Sequence, residues 1–162
     1  YNITTDLLGK LIEIENIVCI KWSSPSMFEF KKGFRLYRDR VSFIDNSASP
    51  LLTSFLGARG FISHEANFWP EHELELYSRI EAGEYTEAQA MIDKLNWPFY
   101  NFRVKIGSRK GGESHVIKAA MDLAGLAGGP TRPPTRPLGD EEREELREIL
   151  QKADLPALAR QD

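Results

Sequence analysis

The sequence predicts an α/β fold with a parallel sheet, and three observations carry that prediction. Short runs rich in β-branched and apolar residues at 17–21, 41–44 and 60–63 read as strands. Apolar residues at helical spacing occupy the stretches before and between these runs. The connections are short, and strands separated by helices pair in parallel through right-handed crossovers.

Each element has its own local reason. Residues 6–14 form the first helix, with Leu7, Leu8, Leu11 and Ile12 on one face and Thr4 or Thr5 as the cap. The run at 17–21 is continuous and apolar, so it reads as a strand buried on both faces. Residues 26–37 place Met27, Phe28, Phe30, Phe34 and Leu36 among charges and read as the second helix. After the strand at 41–44, the helix at 50–56 starts on Pro50 and ends at Gly57. The strand at 60–63 leads to a helix at 70–82 with Pro70 in its first turn.

Beyond this point the chain is helical. Ala88, Met91, Ile92, Leu95 and Phe99 give a helix over 86–106, which Pro98 kinks or breaks. Residues 108–114 form a polar loop, 115–126 a further helix, and 140–152 a charged amphipathic helix. Between the last two, Pro130, Pro133, Pro134 and Pro137 make 128–139 an extended connector. The predicted organisation is a strand-bearing part at 1–82 and a helical region at 83–162.

Composition narrows the function. The chain has 162 residues, 41% hydrophobic and 28% charged, which suffices for one globular core. Its net charge of -3 comes from interspersed acids and bases, which argues against a nucleic-acid or membrane-surface partner. No apolar run approaches the roughly 18 residues of a membrane span. Residues 1–9 lack the basic start and apolar core of a signal segment. Cys19 is the single cysteine, which leaves neither a disulfide framework nor a cysteine zinc site. Its place inside a strand predicts a packed thiol. No cofactor is expected, and the setting expected is cytoplasmic.

Lys21 is the residue that points to chemistry. It closes the apolar strand and is followed by Trp22-Ser23-Ser24. A lysine desolvated at a strand end loses part of its charge. The free amine that results can attack a carbonyl and form a Schiff base. A lysine at a strand end also snorkels to water with no chemistry attached.

Three segments carry a family resemblance. They are Asn16-Ile17-Val18-Cys19-Ile20-Lys21-Trp22-Ser23-Ser24, Phe43-Ile44-Asp45-Asn46-Ser47, and Leu56-Gly57-Ala58-Arg59-Gly60-Phe61-Ile62-Ser63 with Ala66-Asn67. In order and spacing they resemble the dihydrodipicolinate synthase and N-acetylneuraminate lyase superfamily of Schiff-base-forming (β/α)8 barrels. Val116-Ile117-Lys118-Ala119-Ala120 and Arg132-Pro133-Pro134 resemble the family's C-terminal helices and proline connector. The resemblance implies the C-terminal part of a (β/α)8 barrel, strands six to eight, followed by extra helices. The catalytic tyrosine of such enzymes is commonly followed by asparagine, as Tyr1 is by Asn2. Tyr1 precedes Lys21 by only 20 positions, less than the family interval, so it is read as a loop residue.

The resemblance assigns roles. It implies Lys21 as the Schiff-base lysine. It implies Ser23 as a hydroxyl touching substrate, and Asp45 and Asn46 as contacts to its distal part, Asp45 standing where relatives carry glycine. Ile62 matches a position whose backbone carbonyl lies near the lysine. His64 and Glu65 follow the third strand and are candidates for proton transfer or for binding substrate hydroxyls. Each has a bland alternative: Ser23 in loop hydrogen bonds, Asp45 and Asn46 beside a helix cap, His64 and Glu65 on a solvated rim. A metal site from His64, Glu65 and His72 lacks any recognised ligand spacing, and none is expected.

The implied activity is a class I lyase acting on a 2-oxo acid through a carbon–carbon or carbon–oxygen bond. It is either an aldolase that releases or adds pyruvate, or a dehydratase of a 2-keto-3-deoxy sugar acid. A non-catalytic relative that binds a small molecule or regulates is the alternative. Assembly as a homo-oligomer, a tetramer by family resemblance, is also implied.

Overall fold

Three parallel strands form the sheet of the computed structural model, which describes residues 3–159. They are β1 (Cys19–Trp22), β2 (Ser42–Asp45) and β3 (Gly60–Phe61), in the spatial order β1-β2-β3. The register aligns Lys21 with Ile44 and Ile44 with Gly60. In the next row Trp22 aligns with Asp45 and Asp45 with Phe61.

Three helices accompany the strands: α1 (Thr5–Leu11), α2 (Met27–Tyr37) and α3 (Pro50–Leu56). Thr4 caps α1, its hydroxyl accepting from Leu7 N at 3.2 Å, and Ser26 caps α2 by accepting from Glu29 N at 3.3 Å. α1 is shorter than its apolar spacing suggests. Glu13 N and Ile14 N donate to the carbonyls three residues back, so the chain winds into turns after Leu11. α3 ends at Gly57, whose φ of 106° is a left-handed conformation open to glycine.

One face of the sheet carries the core of this part. Leu8, Ile20, Trp22, Phe30, Phe34, Val41 and Phe43 pack there. Trp22 sits at its centre, with ring centroids 5.3 Å from Phe30 and 5.7 Å from Phe43. Its indole N–H donates to Ile3 O at 2.9 Å.

β1 corrects two expectations. Within the described residues of this chain it is buried on one face only: Ile20 and Trp22 are 8% and 3% exposed, while Cys19 and Lys21 are exposed. Side chains alternate along a strand, and helices cover one face only. Cys19, expected to pack, therefore lies on the open face with Lys21.

The second part is all helical. It contains a 3-10 turn (Glu65–Asn67), α4 (Pro70–Ala82), α5 (Tyr85–Met91), α6 (Trp97–Lys110), α7 (Ser114–Leu123), α8 (Asp140–Lys152) and the short α9 (Pro156–Ala159). The break expected at Pro98 is a π-helical segment, Ile92–Asn96, running directly into α6. A proline in the first turn of α6 forfeits a donor that a helix start does not need. Leu95, Phe99, Phe102, Ile106, Val116, Leu146 and Leu150 form the core of this part. The two compact units are Tyr1–Ile62 and Ser63–Asp162, so α4 falls with the helices rather than with the strands. Among the described residues no helix is long and apolar enough to cross a membrane.

Candidate functional site

The strand alternation that buries Trp22 turns Lys21 onto the open face, one residue before the end of β1. No ion pair or hydrogen bond engages its ammonium among the described residues. Its row continues through Ile44 to Gly60, which has no side chain. A Cβ at Gly60 would stand 3.7 Å from Ile44 Cδ1, an ordinary van der Waals contact. Ser23 lies one residue beyond β1 and is half-buried.

Asp45 takes a different part from the one expected of it. It shares a row with Trp22, and its side chain is 2% exposed, on the face opposite Lys21. Its Oδ1 accepts from Ser47 N at 2.8 Å and Ser47 Oγ at 2.6 Å. Its Oδ2 accepts from Ser49 N at 3.0 Å. Both oxygens are thus spent on the loop from β2 to α3, the familiar use of Asp to close a turn. Asn46 follows, exposed at the start of this loop. Ile62 N donates to Asp45 O at 3.3 Å, which ties the end of β3 to the end of β2.

His64 and Glu65 diverge. Glu65 is 7% exposed and opens the 3-10 turn, its Oε2 accepting from Ser63 Oγ at 2.9 Å. Burial, and then the nearby Glu73 carboxylate, raise its pKa above the ordinary value of 4.5. It is not a solvated rim acid. His64 is half-buried, with Nε2 3.4 Å from Glu113 Oε2. The other oxygen of Glu113 pairs with the buried guanidinium of Arg103. His72 pairs with its neighbour instead, Nδ1 to Glu73 Oε1 at 2.9 Å. Among the described residues no group of three His, Cys, Asp or Glu is arranged to hold a metal.

Arg103, Glu113 and Glu73 were not singled out from the sequence. Arg103 carries a readable signal: it lies between Phe99, Phe102 and Ile106, on the buried side of α6. Glu113 carries none, because its role depends on a loop that brings it to Arg103. Tyr1 lies outside the described residues.

The open lysine on a parallel α/β sheet with appended helices can be set against known proteins. The dihydrodipicolinate synthetase family model matches residues 1–153. The chain belongs to this family. A 4-hydroxy-tetrahydrodipicolinate synthase of Methanospirillum hungatei is 31% identical over 159 residues, 94% of this chain and 51% of that protein. A probable 5-dehydro-4-deoxyglucarate dehydratase of Ralstonia nicotianae is 30% identical, covering 83% of this chain and 47% of that protein. The crystal structure of dihydrodipicolinate synthase from Oceanobacillus iheyensis superposes with a TM-score of 0.78 at 26% identity, over 91% of this chain and 50% of that one. The chain thus spans about half the length of the family relatives it matches.

Proposed function

We propose that this chain supplies strands six to eight of a (β/α)8 barrel, with its C-terminal helices, to a class I Schiff-base lyase. The substrate is a 2-oxo acid. The observation that supports the reading is Lys21: unpaired among the described residues and exposed on the face of a parallel sheet opposite its aromatic core. Barrel enzymes carry their chemistry at the carboxyl ends of the strands, and Lys21 sits there.

The amine of Lys21 adds to the 2-oxo carbon and expels water, leaving a protonated imine. That cation accepts the electron pair released at C3. In an aldolase the C3–C4 bond breaks, C4 departs as an aldehyde, and its hydroxyl proton passes to a base. In a dehydratase a proton leaves C3 and the C4 hydroxyl leaves with its electron pair. In the aldolase the enamine then takes a proton at C3 from that base, and in either case hydrolysis of the imine releases the 2-oxo product and regenerates the lysine.

Ser23 and Asn46 are proposed to touch the substrate, and Asp45 to act through the loop it closes. Ile62 contributes backbone only. His64 is proposed to select hydroxylated substrates, with Glu65 anchoring the segment that bears it. The same reading carries a homo-oligomer, tetrameric by family resemblance, which light scattering measures.

The experiment is inactivation by borohydride in the presence of pyruvate or a 2-keto-3-deoxy acid. The parent should be inactivated only when the 2-oxo acid is present, and Lys21→Ala should form no adduct. In His64→Ala, pyruvate trapping should persist while turnover of a polyhydroxylated 2-keto acid falls about tenfold, the cost of one unpaired polar contact. Turnover by Lys21→Ala at the parental rate would overturn the proposal.

A further inference from the structure

The helical unit holds a cavity of about 420 Å³ between α7 and the proline connector. Its polar lining is Ser114, Lys118, Thr131, Arg132 and Thr135, with Pro130 and Pro133 as rigid wall. None of these residues appears in the Schiff-base chemistry proposed for β1.

The charge of this lining is one-sided. It contains two cations and no acid. Arg132 is exposed and, among the described residues, makes no ion pair or hydrogen bond through its guanidinium. The hydroxyl of Ser114 is likewise unpartnered among the described residues. The acids nearest in the chain are committed elsewhere. Glu113 gives its two oxygens to Arg103 and His64, and Asp122 accepts from Gly128 N at 3.1 Å.

The wall is built rather than slack. Lys118 Nζ donates to Gly128 O at 2.6 Å, which fixes the ammonium against the connector. Gly128 is pressed onto α7 so closely that a Cβ there would stand 2.3 Å from Lys118 O. Thr135 N donates to Arg132 O at 3.2 Å, and the Thr135 hydroxyl donates to Gly111 O at 3.3 Å. Thr131 Oγ1 donates to Thr135 O at 3.3 Å. Prolines on both sides of this turn leave little backbone freedom to lose on binding.

We infer that this cavity binds a small polyanion, a phosphate ester or a polycarboxylate, through Arg132 and Lys118 with hydroxyl contacts from Ser114 and Thr131. The volume lies in the range of small-molecule sites. A planar guanidinium without a partner is suited to bidentate capture of phosphate or carboxylate. Two cations with hydroxyls favour an anion that also carries hydroxyl groups. None of the lining residues belongs to the Schiff-base machinery proposed for Lys21, so the ligand is assigned the part of an effector.

Isothermal titration with inorganic phosphate and with citrate, at fixed ionic strength against a chloride control, tests this. The parent protein should bind at least one of the two probes at millimolar concentration or below. Arg132→Ala should weaken that binding at least tenfold, and Ser114→Ala should weaken it less. Lys21→Ala should bind as the parent does, which separates this site from the catalytic one whatever the fate of the Schiff-base reading. Arg132 is exposed, so its removal does not threaten folding. Equal affinity in Arg132→Ala, loss of binding in Lys21→Ala, or no binding by the parent would each overturn the inference.

Discussion

Replacing Gly33 by alanine should damage both the strand-bearing unit and the reactivity of Lys21. Gly33 lies in the middle of α2, buried against the indole of Trp22. A Cβ built there stands 2.3 Å from Cη2 and 2.4 Å from Cζ3 of that ring. Carbon atoms in contact sit about 3.5–4.0 Å apart, so the ring or the helix must yield by more than about 1 Å. The ring has little room to yield. Phe30, Phe34 and Phe43 surround it at centroid distances of 5.3, 6.3 and 5.7 Å, and its N–H is held by Ile3 O at 2.9 Å. Overpacking of this kind costs about 1–3 kcal/mol. Glycine to alanine inside a helix returns about 1 kcal/mol. The expected net loss is about 0–2 kcal/mol. Trp22 follows Lys21 directly, so a displaced indole also moves the lysine's strand. Urea unfolding followed by tryptophan fluorescence measures the first effect, and the rate of pyruvate-dependent borohydride trapping measures the second. Stabilisation by about 1 kcal/mol with an unchanged trapping rate would refute the packing argument.

Other perturbations have equally definite outcomes. Asp45→Ala removes the acceptor of three hydrogen bonds to Ser47 and Ser49, and should cost about 3 kcal/mol while leaving Lys21 trappable; denaturation and trapping on the same sample separate the two effects. His115→Leu should stabilise by about 1 kcal/mol, because both ring nitrogens of His115 are buried without a partner among the described residues. Burial, and then the Lys110 charge, hold the His115 pKa below 6.5, so the folded state takes up a proton less readily than the unfolded chain. Parent stability should therefore fall as pH drops below 6.5, and the leucine variant should show a flatter acid limb in thermal scans. Glu65 behaves in the opposite sense. Its raised pKa keeps a proton on the folded state that the unfolded chain has lost, so stability falls as pH rises from 4.5 through the folded value. Glu65→Gln should remove that slope.

The parallel sheet and most helix limits were legible because local chemistry set them. Pro50 with Gly57, Pro70 at the head of α4, and the charged amphipathic run of α8 each mark a boundary with its own cause. The coverage of the sheet was not legible. An apolar run such as Ile17-Val18-Cys19-Ile20 looks alike whether one face or two is covered by helices. The side-chain environments of the candidate residues were only partly legible. Lys21 lies one residue before the end of its strand, on a face that the described residues of this chain leave open. Asp45 read as a pocket residue because adjacency along the chain does not reveal which side of a strand a carboxylate takes. His64 and Glu65 read as a pair, yet a 3-10 turn sends one toward Glu113 and buries the other. Arg103 escaped notice because its meaning depends on Glu113 arriving from another loop.

A Schiff-base lyase built on this sheet requires that Lys21 form an imine with a 2-oxo acid. Peptide mapping by mass spectrometry, after borohydride reduction in the presence of pyruvate, tests it most directly. One reduced pyruvyl adduct is expected, on the peptide containing Cys19-Ile20-Lys21 and on the lysine itself, with none in a sample lacking pyruvate. An adduct on any other lysine, or an unmodified Lys21 under conditions in which the protein turns over a 2-oxo acid, would contradict it.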